Sequence, residues 1–230
     1  MPEPSLSATV AELVLERPER MRLLERLGID YCCGGDRPIA DACRERGLDP
    51  ATFATLLDAL DETAAGDRPQ DWAGAPVGEL CDHIVESHHA YLRTELPRLA
   101  ELAAKAAKAH GEEVPELHAV QEAFGRLRAE LEEHLDDEEE TVFPACRRLA
   151  AGETGDGLGS LDALRAEHAA AGDLLVTLRE LTRGFDEAGA RCNTHRALLV
   201  GLAELERDLH EHIHEENNIL FPRALALAGR

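Results

Sequence analysis

The chain has 230 residues, and its acidic side chains outnumber the basic ones by 46 to 24, for a formal charge of −22. Such a charge repels nucleic acid and anionic membrane surfaces, so we expect neither among its partners. Only 3% of the residues are aromatic although 44% are hydrophobic, so Ala and Leu must form the core, which favours helices over sheets. The six cysteines lack framework spacing and the first twenty residues lack a long apolar run, which predicts a cytoplasmic protein without a secretory signal.

Residues 1–65 are predicted to form a small helical domain. Apolar residues recur at helical spacing as far as Gly28, and a further helix is expected at 50–63. Between them the sequence YCCGGDRP at 31–38 predicts a turn in which Asp36 caps the next helix. Residues 66–76 are rich in Gly and Pro and are predicted to be a linker.

Residues 77–230 are predicted to form a four-helix bundle with an up-down-up-down order. The sequence favours long helices with short connections, at about 77–107, 115–149, 160–184 and 193–226. Ser160 is the expected N-cap of the third helix. The fold class expected for the chain is therefore all-α, with a bundle preceded by a small helical domain.

Six polar side chains occupy core positions of the predicted bundle. Steps of three and four residues define one buried register in each helix, and its other positions are mostly Leu or another apolar residue. The six exceptions are His89, His134, Glu138, His168, His212 and Glu216. The same registers place four other histidines at solvent or at the helix flanks: His88, His118, His210 and His214.

Burying these imidazoles and carboxylates is costly unless they share a strong partner such as a metal ion. His134 and Glu138 are four residues apart and lie on one helix face, and His212 and Glu216 repeat that arrangement. The surrounding sequences, EHLDDEEETVFP and EHIHEENNILFP, indicate a duplicated helix pair. Two such halves would bind two metal ions, each by two imidazoles, and share both carboxylates. These ligand types favour iron or manganese without distinguishing them.

The bundle resembles a hemerythrin-like domain, and its combination with the sequence DYCCGG at 30–35 resembles the iron–sulfur cluster repair di-iron proteins, the repair-of-iron-centres family. Trp72, the sequence DHI at 82–84, Glu167 with His168, and ENNILFPRAL at 216–225 also carry this resemblance. It implies a cytoplasmic protein with two iron ions, bridged by carboxylate and oxo groups and bound by the same six residues. It further implies repair or protection of iron–sulfur clusters under nitrosative or oxidative stress, with damaged iron–sulfur proteins as partners.

Gly172 stands where the related oxygen carriers have a fifth histidine. The glycine leaves an iron position open, or it only permits close helix packing. Cys32 and Cys33 are interpreted as a redox-active or metal-handling pair whose thiol pKa is lowered by the following helix N-terminus. The alternative is two small residues buried at a turn.

Three functions remain open from the sequence. The leading hypothesis is a stress-response protein that binds nitric oxide or oxygen and reduces nitric oxide to nitrous oxide, as proposed for the family, and whether it is such an enzyme is left open. The second is an oxygen or nitric oxide sensor or carrier without turnover. The third is an iron donor that supplies metal to damaged clusters.

Overall fold

The computed structural model describes residues 8–63, 72–153, 158 and 161–229. The expected cap Ser160 and the predicted linker up to residue 71 lie outside these residues. The regular elements of the described residues are helical, apart from an isolated bridge between Thr9 and Pro38. The all-α prediction is confirmed.

The chain divides into two compact units. The first comprises Met1–Pro76 and Ile213–Arg223, and the second comprises Val77–His212 and Ala224–Arg230. The first unit thus includes a stretch near the end of the chain that the predicted division at 66–76 assigns to the bundle. The boundaries predicted from the sequence stay a prediction.

Four short helices belong to the first unit: α1 (Val10–Glu16), α2 (Met21–Leu27), α3 (Ile39–Glu45) and α4 (Pro50–Thr63). α1 begins with a capping box, because the Thr9 hydroxyl accepts from the Glu12 N–H while the Glu12 carboxylate accepts from the Thr9 N–H. α2 ends at Gly28, whose φ of 67° is a left-handed conformation that glycine adopts without strain.

The core of these helices is apolar and includes Val10, Leu13, Val14, Leu24, Ile29, Tyr31, Ile39, Phe53 and Leu57. A buried ion pair joins α4 to the short turn before α2. Arg20 is only 3% exposed, and its Nη2 lies 2.6 Å from Asp61 Oδ2. Its Nη1 also donates to the Leu13 carbonyl at 3.1 Å, so the buried guanidinium is well satisfied.

Seven α-helices follow: α5 (Val77–Ile84), α6 (Ala90–His110), α7 (Glu116–Asp137), α8 (Phe143–Ala150), α9 (Leu161–Leu181), α10 (Asn193–His214) and α11 (Phe221–Leu227). Three π-helical segments, Val85–His89, Glu138–Val142 and Glu215–Leu220, join α5 to α6, α7 to α8 and α10 to α11. The described chain therefore has four long helical stretches, close to the predicted ranges.

α6 packs against α7, and α7 packs against α9. Together with α10 these helices enclose one apolar core that includes Leu92, Leu96, Leu99, Phe124, Leu127, Leu131, Leu135, Leu175, Leu178, Leu198, Leu202, Leu205 and Leu209. Leucine at spacings of three and four supplies most of it, as the low aromatic content requires. The predicted helical bundle is confirmed.

Candidate metal centre

The π-helical segments occur where the sequence places candidate ligands. His89 ends the first segment, Glu138 begins the second, and Glu216 lies in the third. A π-helical turn holds an extra residue, and such turns are frequent at functional sites. Helical spacing in the sequence gives no indication of these π-helical segments, and they were not predicted.

All six predicted ligands are buried. Their exposed fractions are 6% or less, for His89, His134, Glu138, His168, His212 and Glu216. Glu138 is fully buried at 0%. A carboxylate at such a position is unstable unless hydrogen bonds or cations compensate for the lost water.

Glu138 lies between two pairs of imidazoles. Its Oε1 is 3.2 Å from His134 Nε2 and 4.0 Å from His168 Nε2. Its Oε2 is 3.4 Å from His89 Nε2 and 4.0 Å from His212 Nε2. Within the pairs, the Nε2 atoms are 3.0 Å apart for His134 and His168 and 3.3 Å apart for His89 and His212. Each carboxylate oxygen thus faces one pair, as in a carboxylate that bridges two metal ions.

The arrangement fits metal ions better than hydrogen bonds. Neither oxygen of Glu138 has a hydrogen-bond partner among the described residues. Donor atoms that bind one metal ion at about 2.1 Å each are about 3 Å apart, which matches the separations within the pairs. The residues present therefore fit two metal ions that share Glu138.

Glu216 is the second carboxylate that both groups of candidate ligands have in common. The candidate ligands form two overlapping groups, each with its donor atoms within 4.8 Å of one another: His89, Glu138, His212 and Glu216, and His134, Glu138, His168 and Glu216. Glu216 follows His212 by about one turn of the same continuous helical stretch. The structure brings all six predicted residues together, and their individual roles as ligands stay a prediction.

Two further carboxylates contact the outer nitrogens of these imidazoles. His89 Nδ1 lies 2.9 Å from Glu139 Oε1, and His134 Nδ1 lies 2.7 Å from Glu167 Oε2. Because a carboxylate accepts, each Nδ1 carries the proton, and each Nε2 presents its lone pair to the cluster. A lone pair on His134 or His89 Nε2 is repelled by the Glu138 oxygen that lies 3.2 or 3.4 Å away, and a metal ion between the two atoms removes this repulsion. The sequence pattern assigns no role to Glu139, and Glu167 enters only through the family resemblance.

The predicted placement of His88 and His214 at solvent or helix flanks is wrong. His88 is 5% exposed, and its Nδ1 is 2.9 Å from Asp208 Oδ1. His214 is 3% exposed, its Nδ1 is 3.2 Å from the Tyr31 carbonyl oxygen, and burial lowers its pKa. His88 lies within a π-helical segment, so a register based on α-helical spacing misplaces it. His214 lies in α10 and is buried because it contacts Tyr31, which is far away in the chain.

The other two histidines predicted to lie at solvent or at the helix flanks differ in their exposure. His118 is exposed, as predicted, whereas His210 is partly buried.

Gly172 lies one turn after His168 on α9 and is partly buried. A Cβ built at this position would meet nothing within 4 Å in the described part of the chain. Close helix packing therefore does not require the glycine. The remaining hypothesis is that Gly172 leaves space for a ligand.

In the first unit, Asp30 organises the adjacent cysteines. Its Oδ1 accepts from the backbone N–H groups of Cys32 and Cys33, each at 3.0 Å, and from the Cys32 thiol at 3.3 Å. Burial acts to raise the Asp30 pKa, but hydrogen bonds from the backbone of Gly34, from the Cys32 thiol and from the Cys33 and Cys32 backbone lower it overall.

The predicted lowering of the thiol pKa is wrong for Cys32. Its hydrogen bond to Cys33, its burial and the nearby charge of Asp30 raise the Cys32 pKa well above the ordinary value. The two sulfur atoms are 3.8 Å apart. Cys33 is exposed whereas Cys32 is buried, so the two thiols differ in access as well as in environment.

The loop that contains Cys32 and Cys33 accepts hydrogen bonds from the segment that follows His212. Asn218 Nδ2 donates to the carbonyl oxygens of Tyr31 and Cys32, both at 3.2 Å. A Cβ on Gly35 would come within 2.7 Å of Asn218 Oδ1 and 2.9 Å of the Ala11 Cβ. The second glycine of the DYCCGG sequence therefore permits a close approach, which the sequence alone did not reveal.

No helix of the described residues is both long and apolar enough to span a bilayer.

Two imidazole pairs around shared, buried carboxylates in a helical bundle are typical of proteins that bind two metal ions. Residues 81–224 match the family described as hemerythrin HHE cation binding domain, and residues 6–61 match the ScdA_N family, described as a domain of unknown function (DUF542). The chain belongs to the hemerythrin HHE family, and the di-iron prediction agrees with that membership.

Two relatives illustrate the similarity. The iron-sulfur cluster repair protein YtfE of Edwardsiella ictaluri is 36% identical over 216 residues, which is 94% of this chain and 96% of that protein. The iron-sulfur cluster repair protein YtfE of Escherichia coli O157:H7 is 33% identical over 217 residues, with the same coverage. The similarity thus includes both the amino-terminal region and the bundle.

Proposed function

We propose that this chain is a cytoplasmic stress-response protein that repairs or protects iron–sulfur clusters, and that it reduces nitric oxide at its di-iron centre. The observation that carries the proposal is the position of Glu138, with one oxygen towards each imidazole pair. The name of the relatives, iron-sulfur cluster repair protein, supports the cellular role. Damaged iron–sulfur proteins are the proposed partners.

The proposed ligand set follows the observed pairs. His134 and His168 would bind one iron, and His89 and His212 would bind the other. Glu138 and Glu216, with an oxo group, would bridge the two. Each iron would then be bound by one histidine from each half of the duplicated sequence, so neither half could form a complete site alone.

When bound, iron at these ligands supplies one-electron redox chemistry and open positions for a small ligand. The proposed reaction is 2 NO + 2 H⁺ + 2 e⁻ → N₂O + H₂O, with the electrons from an external reductant. The burial of the six ligands excludes water from the site, and Glu139 and Glu167 hold two imidazole rings by their Nδ1 atoms. Gly172 leaves room beside His168 for a diatomic molecule.

The first test combines iron content, the absorption spectrum and gas analysis. Two irons per chain, an oxo-bridge band in the near ultraviolet, and nitrous oxide released from nitric oxide under excess reductant are the expected results. Glu138→Gln should bind less than one iron, whereas Glu140→Gln, an exposed neighbour in the same π-helical segment, should retain two. Two irons with a stable nitrosyl and no nitrous oxide would exclude the reductase and leave a sensor or carrier.

The second test uses an enzyme whose [4Fe–4S] cluster has been damaged by nitric oxide. We expect the iron-loaded protein and reductant to restore its activity while the di-iron centre keeps its iron. Recovery that instead consumes the protein's iron would identify an iron donor. Substitution of both Cys32 and Cys33 by Ala tests the proposed role of the thiols, and unchanged recovery would remove them from the mechanism.

A further inference from the structure

The two carboxylates that contact the imidazole pairs have different surroundings. Glu139 Oε1 accepts from His89 at 2.9 Å and also lies 3.0 Å from Arg93 Nη2. The same Arg93 nitrogen lies 2.8 Å from Asp136 Oδ1. The negative charge that His89 meets is therefore shared with a guanidinium group.

Among the described residues, Glu167 lacks a partner comparable to the Arg93 guanidinium group. Its Oε2 accepts from His134 at the shorter distance of 2.7 Å, and the described residues show no arginine or lysine paired with it. Glu167 is more exposed than Glu139, at 57% against 32%. No arginine or lysine of the described residues offsets its charge, whereas Arg93, which also pairs with Asp136, offsets part of the charge on Glu139.

A carboxylate at Nδ1 raises the basicity of the Nε2 that binds metal. The stronger the negative charge of the carboxylate, the more electron density the imidazole gives to its metal. By this argument His134 is the stronger electron donor, and His89 is the weaker one because of Arg93. A more electron-rich ligand set stabilises the oxidised metal.

We infer that Glu139, Arg93 and Glu167 are positioning residues that make the two metal positions electronically unequal, with the His89/His212 position the more easily reduced. The inference rests on the ligand set proposed above. It concerns which iron accepts the first electron. The sequence duplication alone would predict two equivalent positions, and the asymmetry comes from residues outside the repeated ligands.

The test is the separation between the two one-electron midpoint potentials of the iron-loaded protein. A purely structural role would not shift this separation in a defined direction. Glu139→Gln weakens the acceptor at His89, makes that position still easier to reduce, and is expected to widen the separation. Glu167→Gln weakens the acceptor at His134 and is expected to narrow it. Arg93→Met removes the cation that offsets the charge of Glu139, and it should also narrow the separation between the two potentials.

Metal affinity provides an independent readout. Loss of a carboxylate that orients a metal-bound histidine typically weakens metal binding by about 10–100-fold, so both Gln variants should lose iron to a chelator faster than the parent protein. Glu140→Gln and Arg98→Gln are matched controls. Glu140 is exposed beside Glu139, and Arg98 binds Glu95 on its own helix. Both should leave the potentials and the iron release unchanged.

The outcomes separate this inference from the proposed ligand set. If the parent protein does not bind two irons, the ligand set itself is wrong. If it binds two irons but Glu139→Gln and Glu167→Gln shift the separation in the same direction or leave it unchanged, only the asymmetry is overturned. Thermal unfolding of each metal-free variant, expected to match that of the parent, ensures that the comparison is between folded proteins.

Discussion

Glu138 in the bundle lies beside histidines, and Asp30 in the amino-terminal region lies beside cysteines. The two carboxylates differ in the hydrogen bonds that they accept. Asp30 accepts hydrogen bonds from two backbone N–H groups and a thiol. Glu138 is completely buried and accepts none from the described residues, while four imidazole Nε2 atoms lie 3.2–4.0 Å from its oxygens.

The difference shows which of the two carboxylates has its negative charge compensated by hydrogen-bond donors of the protein. Asp30 is stabilised by the fold alone, so it needs no ion and serves to shape the cysteine loop. Glu138 lacks such compensation and requires a cation. Proximity to His or Cys is thus weak evidence for a metal site, and the absence of protein donors at a buried carboxylate is strong evidence.

Metal removal is expected to change the stability of the protein more than any substitution described below, because it leaves the charge of Glu138 uncompensated. A ligand present at about 1,000 times its dissociation constant stabilises the folded state by about 4 kcal/mol. For a chain of this size, the chelated protein should therefore unfold about 8–16 °C lower than the iron-loaded protein in calorimetry. Equal unfolding temperatures for the two forms, with iron content verified, would contradict the need for a cation at Glu138.

Asp30→Ala should destabilise the protein by about 2–3 kcal/mol, because it removes a charged acceptor from two backbone N–H groups and the Cys32 thiol. In the metal-free protein, Glu138→Gln should have the opposite effect or none, because it removes an uncompensated buried charge. Urea unfolding of both variants without metal measures the two changes. A loss of stability in metal-free Glu138→Gln as large as that in Asp30→Ala would remove the distinction between the carboxylates.

The effect of Asp30 should also depend on pH in a defined direction. Its pKa is lowered in the folded state, so the unfolded chain binds the proton more readily. The stability contributed by Asp30 is then fully present above the unfolded pKa of about 3.9 and is lost as the pH falls through the folded pKa. The difference in unfolding free energy between the parent and Asp30→Ala should be smaller at about pH 3 than at about pH 5.

The two neighbouring thiols should differ in reactivity. Cys33 is exposed, whereas Cys32 is buried and has a raised pKa, so iodoacetamide should modify Cys33 faster by about tenfold or more at neutral pH. Peptide mass spectrometry after timed quenching measures both rates. Asp30→Asn should accelerate modification of Cys32, while fully buried Cys43 serves as the unreactive control. Equal rates for Cys32 and Cys33 would be inconsistent with the described loop.

Gly172→Ala should have the smallest effect. A Cβ fits without contact, and alanine favours the helix, so the variant should be more stable by about 0.5–1 kcal/mol. Iron content should remain at two per chain. Slower formation of the nitrosyl in stopped-flow measurements, with iron content unchanged, would support the role of Gly172 in leaving space for a ligand. Loss of stability in Gly172→Ala would instead restore the packing explanation.

Much of the fold follows from local patterns in the sequence. The long helices, the helix at 50–63 and the burial of the six polar residues all follow from apolar spacing, which each helix carries by itself. The two errors have different causes. His88 lies in a π-helical segment, and no apolar pattern indicates where an extra residue enters a turn. His214 lies in a regular α-helix and is buried by its contact with Tyr31, which helical spacing does not reveal.

The all-α class, the bundle and the set of six candidate ligands can be predicted from the amino-acid sequence, because helical periodicity and an internal repeat are properties of the chain order. The pairing of His134 with His168 and of His89 with His212 becomes visible in the folded protein, as does the orientation of Glu138 with one oxygen towards each pair. The folded protein also shows that Arg93 shares the carboxylate behind His89. These relations join residues far apart in the chain, and they depend on which helix faces which and how each side chain is oriented.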